Sequence, residues 1–340
     1  MMFKITRESI IPLFGFDFIG IIDRGTNLIE IKPTTLCNLK CGYCYAGSGS
    51  YKRNFEIEKE YLLEQIKRVV EFKDNKNIEA HVDPYGECLL YPDLVDVIKG
   101  MRGMDGISRI SIQTNGCLLK KNTIDSLVTA GLDQVNITLN ALNEDLAKKL
   151  ACNEDYSVET IKNAITCSLE RGLDVVITPV WFFKKNDEEI ENIIKYYKQL
   201  KESSKQEENI RLGIQNYLVY KTGRKLPKVR EREFGHFYKQ LRTMEKRHAT
   251  KLLLGPSDFN LHPAPLLSPT FIDKHDWEKD IIEVEILEKG RTDKEYLGKI
   301  DDWGVKVLSF TERELKRTEQ IPSRDFKISK KHLITAYVKA

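Results

Sequence analysis

From Leu28 to about Leu254, short apolar runs alternate with stretches whose apolar positions recur at helical spacing. Leu28–Ile31 predicts a strand. Leu62, Ile66, Val69 and Val70 then fall on one face of a helix, the pattern expected when one side is buried. Ile78–Val82 predicts the next strand and Asp93–Lys99 the next helix. Ile107–Gln113 reads as a strand closed by Thr114-Asn115-Gly116, with a helix from about Thr123 to Ala130 that stops at Gly131. Val135–Leu139, a helix over Val158–Arg171 before Gly172, Val175–Pro179, a helix over Glu188–Leu200 and Ile210–Gln215 complete six strand units. Repeated strand–helix units imply parallel strands with right-handed crossovers. The expected fold is therefore α/β, a partial (β/α)6 TIM-type barrel, because six units fall short of the eight of a closed barrel. In such a sheet the residues just after each strand converge on one rim.

Flanking this core, assigned to residues 27–255, the pattern changes. Residues 1–26 form an N-terminal extension whose apolar stretch, Ile10–Ile22, holds Pro12 and Asp17. It is too short to span a bilayer and lacks a small-residue cleavage pattern, so a strand or hairpin packed on the core is expected. Residues 256–275 read as a Pro-rich linker (Pro256, Pro263, Pro265, Pro269), since proline resists helix and central strand alike. Residues 276–340 carry short β-type runs, Ile281–Leu287, Tyr296–Ile300, Val305–Leu308 and His332–Val338, punctuated by Gly290, Gly298 and Gly304. A small C-terminal β-barrel is expected there. With no long apolar segment elsewhere, a soluble, cytoplasmic protein without membrane contact is expected.

Composition adds little until the cysteines are placed. Apolar residues make up 41% and charged residues 31% of 340, with a net charge of +3, which describes an ordinary globular chain. The seven cysteines are odd in number and follow no export signal, which argues against a disulfide framework. None follows Cys167. Three lie together in Cys37-Asn-Leu-Lys-Cys41-Gly-Tyr-Cys44. Closely spaced thiolates on one loop can take three corners of a cubane iron–sulfur cluster, leaving the fourth iron open to an exchangeable ligand. The alternative, a structural zinc site, needs a fourth thiolate or imidazole, and the nearest histidine in sequence is His81.

This loop, with its aromatic Tyr43 before the last cysteine and a strand in front of it, resembles the radical S-adenosylmethionine (radical SAM) superfamily. The resemblance implies that Cys37, Cys41 and Cys44 bind one [4Fe–4S] cluster and that SAM chelates its open iron. One electron, from a donor such as ferredoxin or flavodoxin, then cleaves SAM to a 5′-deoxyadenosyl radical. The hard chemistry is the cofactor's, and the protein supplies position and water exclusion. Oxygen lability follows. Tyr85-Gly86-Glu87, after the second strand, resembles the family's Gly-Gly-Glu motif with Tyr85 in place of the first glycine. Gly86 and Glu87 would then meet the SAM ammonium group, which needs acceptors. Gln113 and Asn115 at the third strand, and Thr138 and Asn140 at the fourth, resemble residues that contact the ribose and carboxylate of SAM, and Tyr43 would lie against the adenine. Each has a plainer reading as a turn, a strand-end cap or loop packing. Cys88 and Cys117 follow rim motifs and are either site residues or small buried hydrophobes. Cys152 and Cys167 are expected on helices as packing residues.

Two features bear on substrate. Between Lys221 and Lys251, eleven Lys/Arg face three acids, with His236, Phe237 and Tyr238 interleaved. Cations beside a catalytic rim suit a phosphate backbone, and aromatics suit base stacking, although charge runs are usually solvated helix faces. The C-terminal unit loosely resembles a TRAM domain, an RNA-delivering barrel, through Val284-Glu-Ile-Leu, Gly298, Val305–Val307 and the closing Ile328–Val338 with Lys330, Lys331 and His332. With fifteen Lys/Arg and fifteen Asp/Glu over residues 263–340, its RNA face must be a local patch. Radical modification of RNA, tRNA or rRNA, is the leading expectation. With about 26 residues before the first strand, the two-cluster methylthiotransferase plan is not expected. Peptide or protein modification and a non-enzymatic RNA-binding module are the alternatives.

Overall fold

In the computed structural model, which describes residues 1–74, 76–203, 207–220 and 222–339, the chain opens with strand β1 (Met2–Ile5) and an irregular apolar stretch. It continues through β2 (Gly20–Asp23), β3 (Leu28–Lys32), β4 (Asn54–Ile57), helix α1 (Lys59–Phe72), β5 (Ile78–Val82), α2 (Leu94–Arg102), β6 (Ile107–Thr114), α3 (Lys121–Ala130) and β7 (Gln134–Ile137). Helices α4 (Glu144–Ala151) and α5 (Val158–Glu170) lead to β8 (Asp174–Ile177), β9 (Val180–Trp181), α6 (Asp187–Ser203), β10 (Ile210–Leu212), β11 (Gln215–Asn216) and α7 (Phe234–His248). The C-terminal part is β12 (Ile281–Lys289), β13 (Glu295–Ile300), β14 (Trp303–Ser309), β15 (Thr318–Pro322), β16 (Phe326–Ser329) and β17 (Leu333–Val338).

The core sheet has the order β10-β8-β7-β6-β5-β3-β2. Its six strands from β3 to β10 run parallel, and β2 adds an antiparallel edge to β3. This is the partial barrel expected. Its register separates two chemistries. Ile31, Val82, Ile112, Val135, Val175 and Ile210 are aligned across the sheet, and all are buried and apolar. One residue along, Glu30, His81, Ser111, Gln134 and Asp174 make an equally continuous polar row. Parallel sheets covered on both faces read as nearly unbroken apolar runs; here the alternation leaves one face polar. Hydrogen bonds knit that face together: His81 Nδ1 lies 2.8 Å from Ser111 Oγ, and Ser111 donates to Glu79 at 2.8 Å. The apolar face packs under the helices, α1 contributing Leu62, Ile66, Val69 and Val70.

Expectation and structure differ most at the two ends. The hairpin lies at β2–β3, whereas residues 10–19 run irregularly and bury Phe14, Phe16 and Phe18. Phe14 stacks on Trp303, its carbonyl accepts from Gly304 N–H at 2.7 Å, and the Gly15 carbonyl accepts from Ile334 N–H at 3.2 Å. A side chain at Gly15, whose φ is +106°, would start 2.0 Å from the Gly304 carbonyl oxygen, so only glycine fits. The Pro-rich stretch runs back beside the lower ends of β2 and β3. Asn27 N–H donates to the His262 carbonyl at 3.0 Å, and the buried Lys73 ammonium donates to the carbonyls of Thr26 and Pro265.

The C-terminal strands form a curled half-barrel in the order β15-β12-β13-β14-β17-β16, in which β14 and β17 are parallel. Strands β15 and β16 do not stand out in the sequence, since one ends in Pro322 and the other is a four-residue run, Phe-Lys-Ile-Ser. No helix among the described residues is long and apolar enough to cross a membrane.

Candidate functional site

The loop after β3 carries Cys37, Cys41 and Cys44, all half-buried free thiols. They line one cavity of about 420 Å³ together with Tyr43, Gly86, Glu87, Gln113, Asn115 and Thr138. Nine of the ten residues expected at the site therefore meet in one place, and the volume suits a ligand of cofactor size. Asn140 is the exception. It sits in a small neighbouring recess, where its amide donates to the Tyr43 hydroxyl at 2.5 Å and its side-chain oxygen accepts from Val180 N–H at 2.8 Å. Both ends of this side chain are spent on holding the rim. Tyr43 is likewise partly structural, its ring tilted against Phe182 at 4.8 Å.

Glu87 is buried and ties the second rim loop to the third. Its Oε1 accepts from the Thr114 hydroxyl at 2.6 Å and Leu89 N–H at 3.1 Å, and its Oε2 accepts from Asn115 N–H at 2.8 Å. Burial raises its pKa, opposed by the donors on Asn115, Thr114 and Leu89. With one bond on Oε2, a lone pair is left for a ligand in the cavity. Gly86 lets this loop lie on the cysteine loop: a Cβ there would sit 2.0 Å from the Leu36 carbonyl oxygen, and Glu87 N–H donates to that same oxygen at 2.7 Å. Gln113 donates to Thr138 at 3.2 Å and to Thr178 at 3.3 Å, bridging three strand ends. The Asn115 amide donates to Asn38 at 2.8 Å.

The charge run between Lys221 and Lys251 divides. Lys221 lies outside the described residues. Arg224 folds onto the cysteine loop, donating to the carbonyls of Cys41 (2.7 Å), Gly47 (2.9 Å) and Ser48 (2.7 Å) and to the Ser50 hydroxyl (2.9 Å). Nothing in the local sequence separates Arg224 from its basic neighbours, and its role is visible only in the fold. Thr178 was readable, since it stands at the end of β8 as Thr138 does at β7. Arg247 and His248 pair with Glu191, and Lys251 pairs with Asp258. Phe237, expected as a stacking aromatic, is instead buried at 3% exposure against Trp181, because α7 turns it inward at the same spacing as Leu241 and Met244. Phe234 and Tyr238 face outward and stack on each other. Cys88 is fully buried beside Glu87, and Cys117 is half-buried and does not line the cavity. Cys152, expected to pack on a helix, is exposed at the left-handed cap that ends α4, where its thiol has left the buried face.

The donor set suits an iron–sulfur cube. Burial pushes the Cys37 and Cys41 thiols up to about 12, so a metal would displace their protons on binding. Among the described residues, no three of His, Cys, Asp or Glu are grouped around a single ion position. A cubane distributes its cysteine ligands over separate irons and needs no such convergence.

Comparison with known proteins agrees with this geometry. The sequence model of the Radical SAM superfamily matches residues 31–197, from β3 into α6. An uncharacterized protein of Methanocaldococcus jannaschii is 32% identical over 331 residues, covering 90% of this chain and 75% of that one. A GTP 3′,8-cyclase of Alkaliphilus metalliredigens is 31% identical over 172 residues, covering 50% of this chain and 52% of the cyclase, so this chain spans about half the cyclase's length. Among solved structures, HydG, a maturase of the [FeFe]-hydrogenase, shares the fold with a TM-score of 0.52 at 14% identity, over 68% of this chain and 53% of HydG. With the three-cysteine loop inside the matched segment and a six-stranded parallel half-barrel beneath it, the chain belongs to the radical SAM superfamily, enzymes that use a [4Fe–4S] cluster and S-adenosylmethionine.

Proposed function

We propose that this enzyme modifies RNA, with tRNA or rRNA as the substrate class, using Cys37, Cys41 and Cys44 as the cluster ligands. When bound, the cluster and SAM supply a 5′-deoxyadenosyl radical for hydrogen abstraction. The residues have separate tasks around them. Arg224 holds the ligand loop in shape, and Glu87 would hold the SAM ammonium group through the free acceptor capacity of Oε2. Gly86 lets the rim loop that carries Glu87 lie against the cysteine loop. Gln113, Asn115 and Thr138 offer polar contacts to the ribose and carboxylate, Tyr43 walls the adenine, and Asn140 holds Tyr43. A small electron carrier, ferredoxin or flavodoxin, acts as the reductant.

One observation carries the RNA reading. The turn that begins with Arg224 presents Lys225, Lys228 and Arg230 to solvent, with no ion pair among the described residues. That turn lies over the cysteine loop, where the Leu226 side chain approaches Gly42. Unpaired cations beside a catalytic mouth favour a phosphate backbone. The TRAM-like half-barrel contributes less, because many of its cations are paired internally: Lys299 with Glu285, Arg313 with Glu319, Lys339 with Asp325. A second reading, a free purine nucleotide as substrate, is favoured by the likeness to the GTP 3′,8-cyclase.

The decisive experiment compares nucleosides from tRNA and rRNA of a gene-deletion strain with the parent by mass spectrometry. One modified nucleoside should be missing. A complete set from the deletion strain overturns the RNA reading. In vitro, neutralising Lys225, Lys228 and Arg230 should lower the salt dependence of single-stranded RNA binding by a log–log slope of about 2.

A further inference from the structure

We propose that Tyr45, Tyr85 and Tyr220 form a base-stacking subsite at the mouth of the cavity, backed by Arg24 and Asp83, that receives a planar nucleobase. The proposal rests on the reading of the substrate as nucleic acid and adds the part of it that enters the site. All five residues line the cavity that holds the three cysteines. They come from separate places: the edge of β2, the cysteine loop, the loop after β5 and the segment after β11. The Tyr45 ring meets Tyr85 at 5.5 Å, nearly edge-on at 81°, and meets Tyr220 at 5.8 Å.

Scattered exposed apolar side chains are normal on any surface and need no explanation. Tyr45 and Tyr220 are 41% and 51% exposed, yet they touch each other at the mouth of the cavity lined by all three cysteines. Tyr85 is the fixed member. Its ring lies near the cations of Lys32 (5.5 Å) and Arg291 (5.3 Å), and its carbonyl accepts from the Ser48 hydroxyl. The other two remain open to a ligand's face. Aromatic rings at a wet cavity mouth stack on nucleobases whatever the sequence, because every base has a π-face.

The polar wall matches the edge of such a ring. Arg24 binds Glu30 through Nε and Nη2, leaving Nη1 as a donor. Asp83 has one carboxylate oxygen 3.5 Å from the Lys32 ammonium and keeps acceptor capacity. A donor and an acceptor beside exposed aromatic rings are what a heterocycle with exocyclic amino and carbonyl groups requires. An apolar peptide side chain would leave both unused, and the unpaired Lys225, Lys228 and Arg230 call for phosphate close by.

The test uses anaerobically reconstituted enzyme with SAM. Binding is measured for a fluorescein-labelled single-stranded RNA, the same RNA made abasic, and guanosine and adenosine 5′-monophosphates. Iron content and melting temperature of each variant confirm that it is folded. Tyr45→Ala and Tyr220→Ala should each weaken binding of the base-bearing RNA about five- to one-hundred-fold. Abasic RNA should bind all forms alike, and Tyr45→Phe and Tyr220→Phe should restore affinity. Unchanged affinity in both alanine variants, or an equal loss for abasic RNA, overturns the subsite. The RNA reading fails separately. Salt-dependent RNA binding with no effect of the tyrosines sinks the subsite alone, tyrosine-dependent binding of monophosphates without RNA binding sinks the RNA reading alone, and binding of neither sinks both.

Discussion

The Arg224 guanidinium donates to the Cys41 carbonyl oxygen at 2.7 Å, while the Arg224 backbone N–H donates to the Cys44 carbonyl at 2.8 Å. One residue, some 180 positions away in sequence, thus grips the cysteine loop at two of its three thiol-bearing residues. Hydrogen bonds from a charged donor are worth about 1.5–3 kcal/mol each. Lysine keeps the charge but lacks the planar fork that reaches four acceptors. Arg224→Lys should therefore fold normally by circular dichroism yet lose more than half of its iron on gel filtration after reconstitution. Arg224→Gln should lose as much, and whatever cluster it keeps should have a lower reduction potential, because a nearby positive charge has gone. Wild-type iron content in both variants would remove Arg224 from the site.

Gly86 gives a sharper steric test. A Cβ would stand 2.0 Å from one backbone atom, the Leu36 oxygen, and 2.7 Å from another, the Leu36 carbonyl carbon, so no side-chain rotation relieves the clash. Gly86→Ala must push the rim loop off the cysteine loop, breaking the bond from Glu87 N–H. Overpacking of this kind costs about 1–3 kcal/mol. Urea melts should show that loss, and equilibrium dialysis should show SAM affinity at least tenfold weaker, with far-UV dichroism unchanged.

The attachment of the half-barrel should respond to acid through Asp17. Burial acts to raise the Asp17 carboxyl, but Lys306, 2.6 Å away, and Arg291 outweigh it and hold the pKa below its ordinary 3.8. A carboxylate with a lowered folded pKa contributes stability above its unfolded value and loses it as pH falls through the folded value. Wild type should thus lose this contribution only below about pH 3.8. Asp17→Asn should lack it already at pH 7, at a cost of about 1–3 kcal/mol, since the carboxylate is about a third exposed. Parallel urea melts of the two proteins at pH 7 and pH 3 would show the gap between them narrow.

Much of this was legible in the pattern of the chain. The six parallel strands follow from alternating apolar runs and helical faces, and the three-cysteine loop and Glu87 stand where a strand-end rule puts them. What stayed hidden depends on partners distant in sequence. Arg224 looks like any basic residue until its acceptors, forty-one to fifty in the numbering, fold beneath it. Phe237 and Phe234 differ only by which side of α7 meets Trp181, and a charge-rich stretch with few apolar anchors does not announce that phase. Asn140 stands at the expected strand end, but its donor and acceptor are claimed by Tyr43 and Val180, which no local spacing reveals.

Arg291 joins the half-barrel to the site, and its environment predicts an asymmetric response to mutation. Its side chain is 2% exposed, pairs through two nitrogens with Glu295, and lies over Phe18 at 3.9 Å, Tyr51 at 4.9 Å and Tyr85 at 5.3 Å. Burial acts to lower its pKa, and Glu295 more than restores it, so the guanidinium stays charged. Arg291→Met removes the cation but leaves the Glu295 carboxylate buried without its counter-ion, which should cost about 3–5 kcal/mol. Adding Glu295→Gln neutralises the orphan and should recover part of that loss, because a buried neutral amide whose oxygen still accepts from the backbone N–H of residue 291 costs less than a buried unpaired charge. SAM affinity should follow a different course. It should fall in both proteins, because Tyr85, next to Gly86, has lost the cation on its face whether or not the carboxylate remains. Urea melts with recovery in the double variant, set beside SAM dialysis without recovery, would separate the part of Arg291 that holds the fold from the part that holds the rim. Recovery of both would mean that Arg291 acts through stability alone.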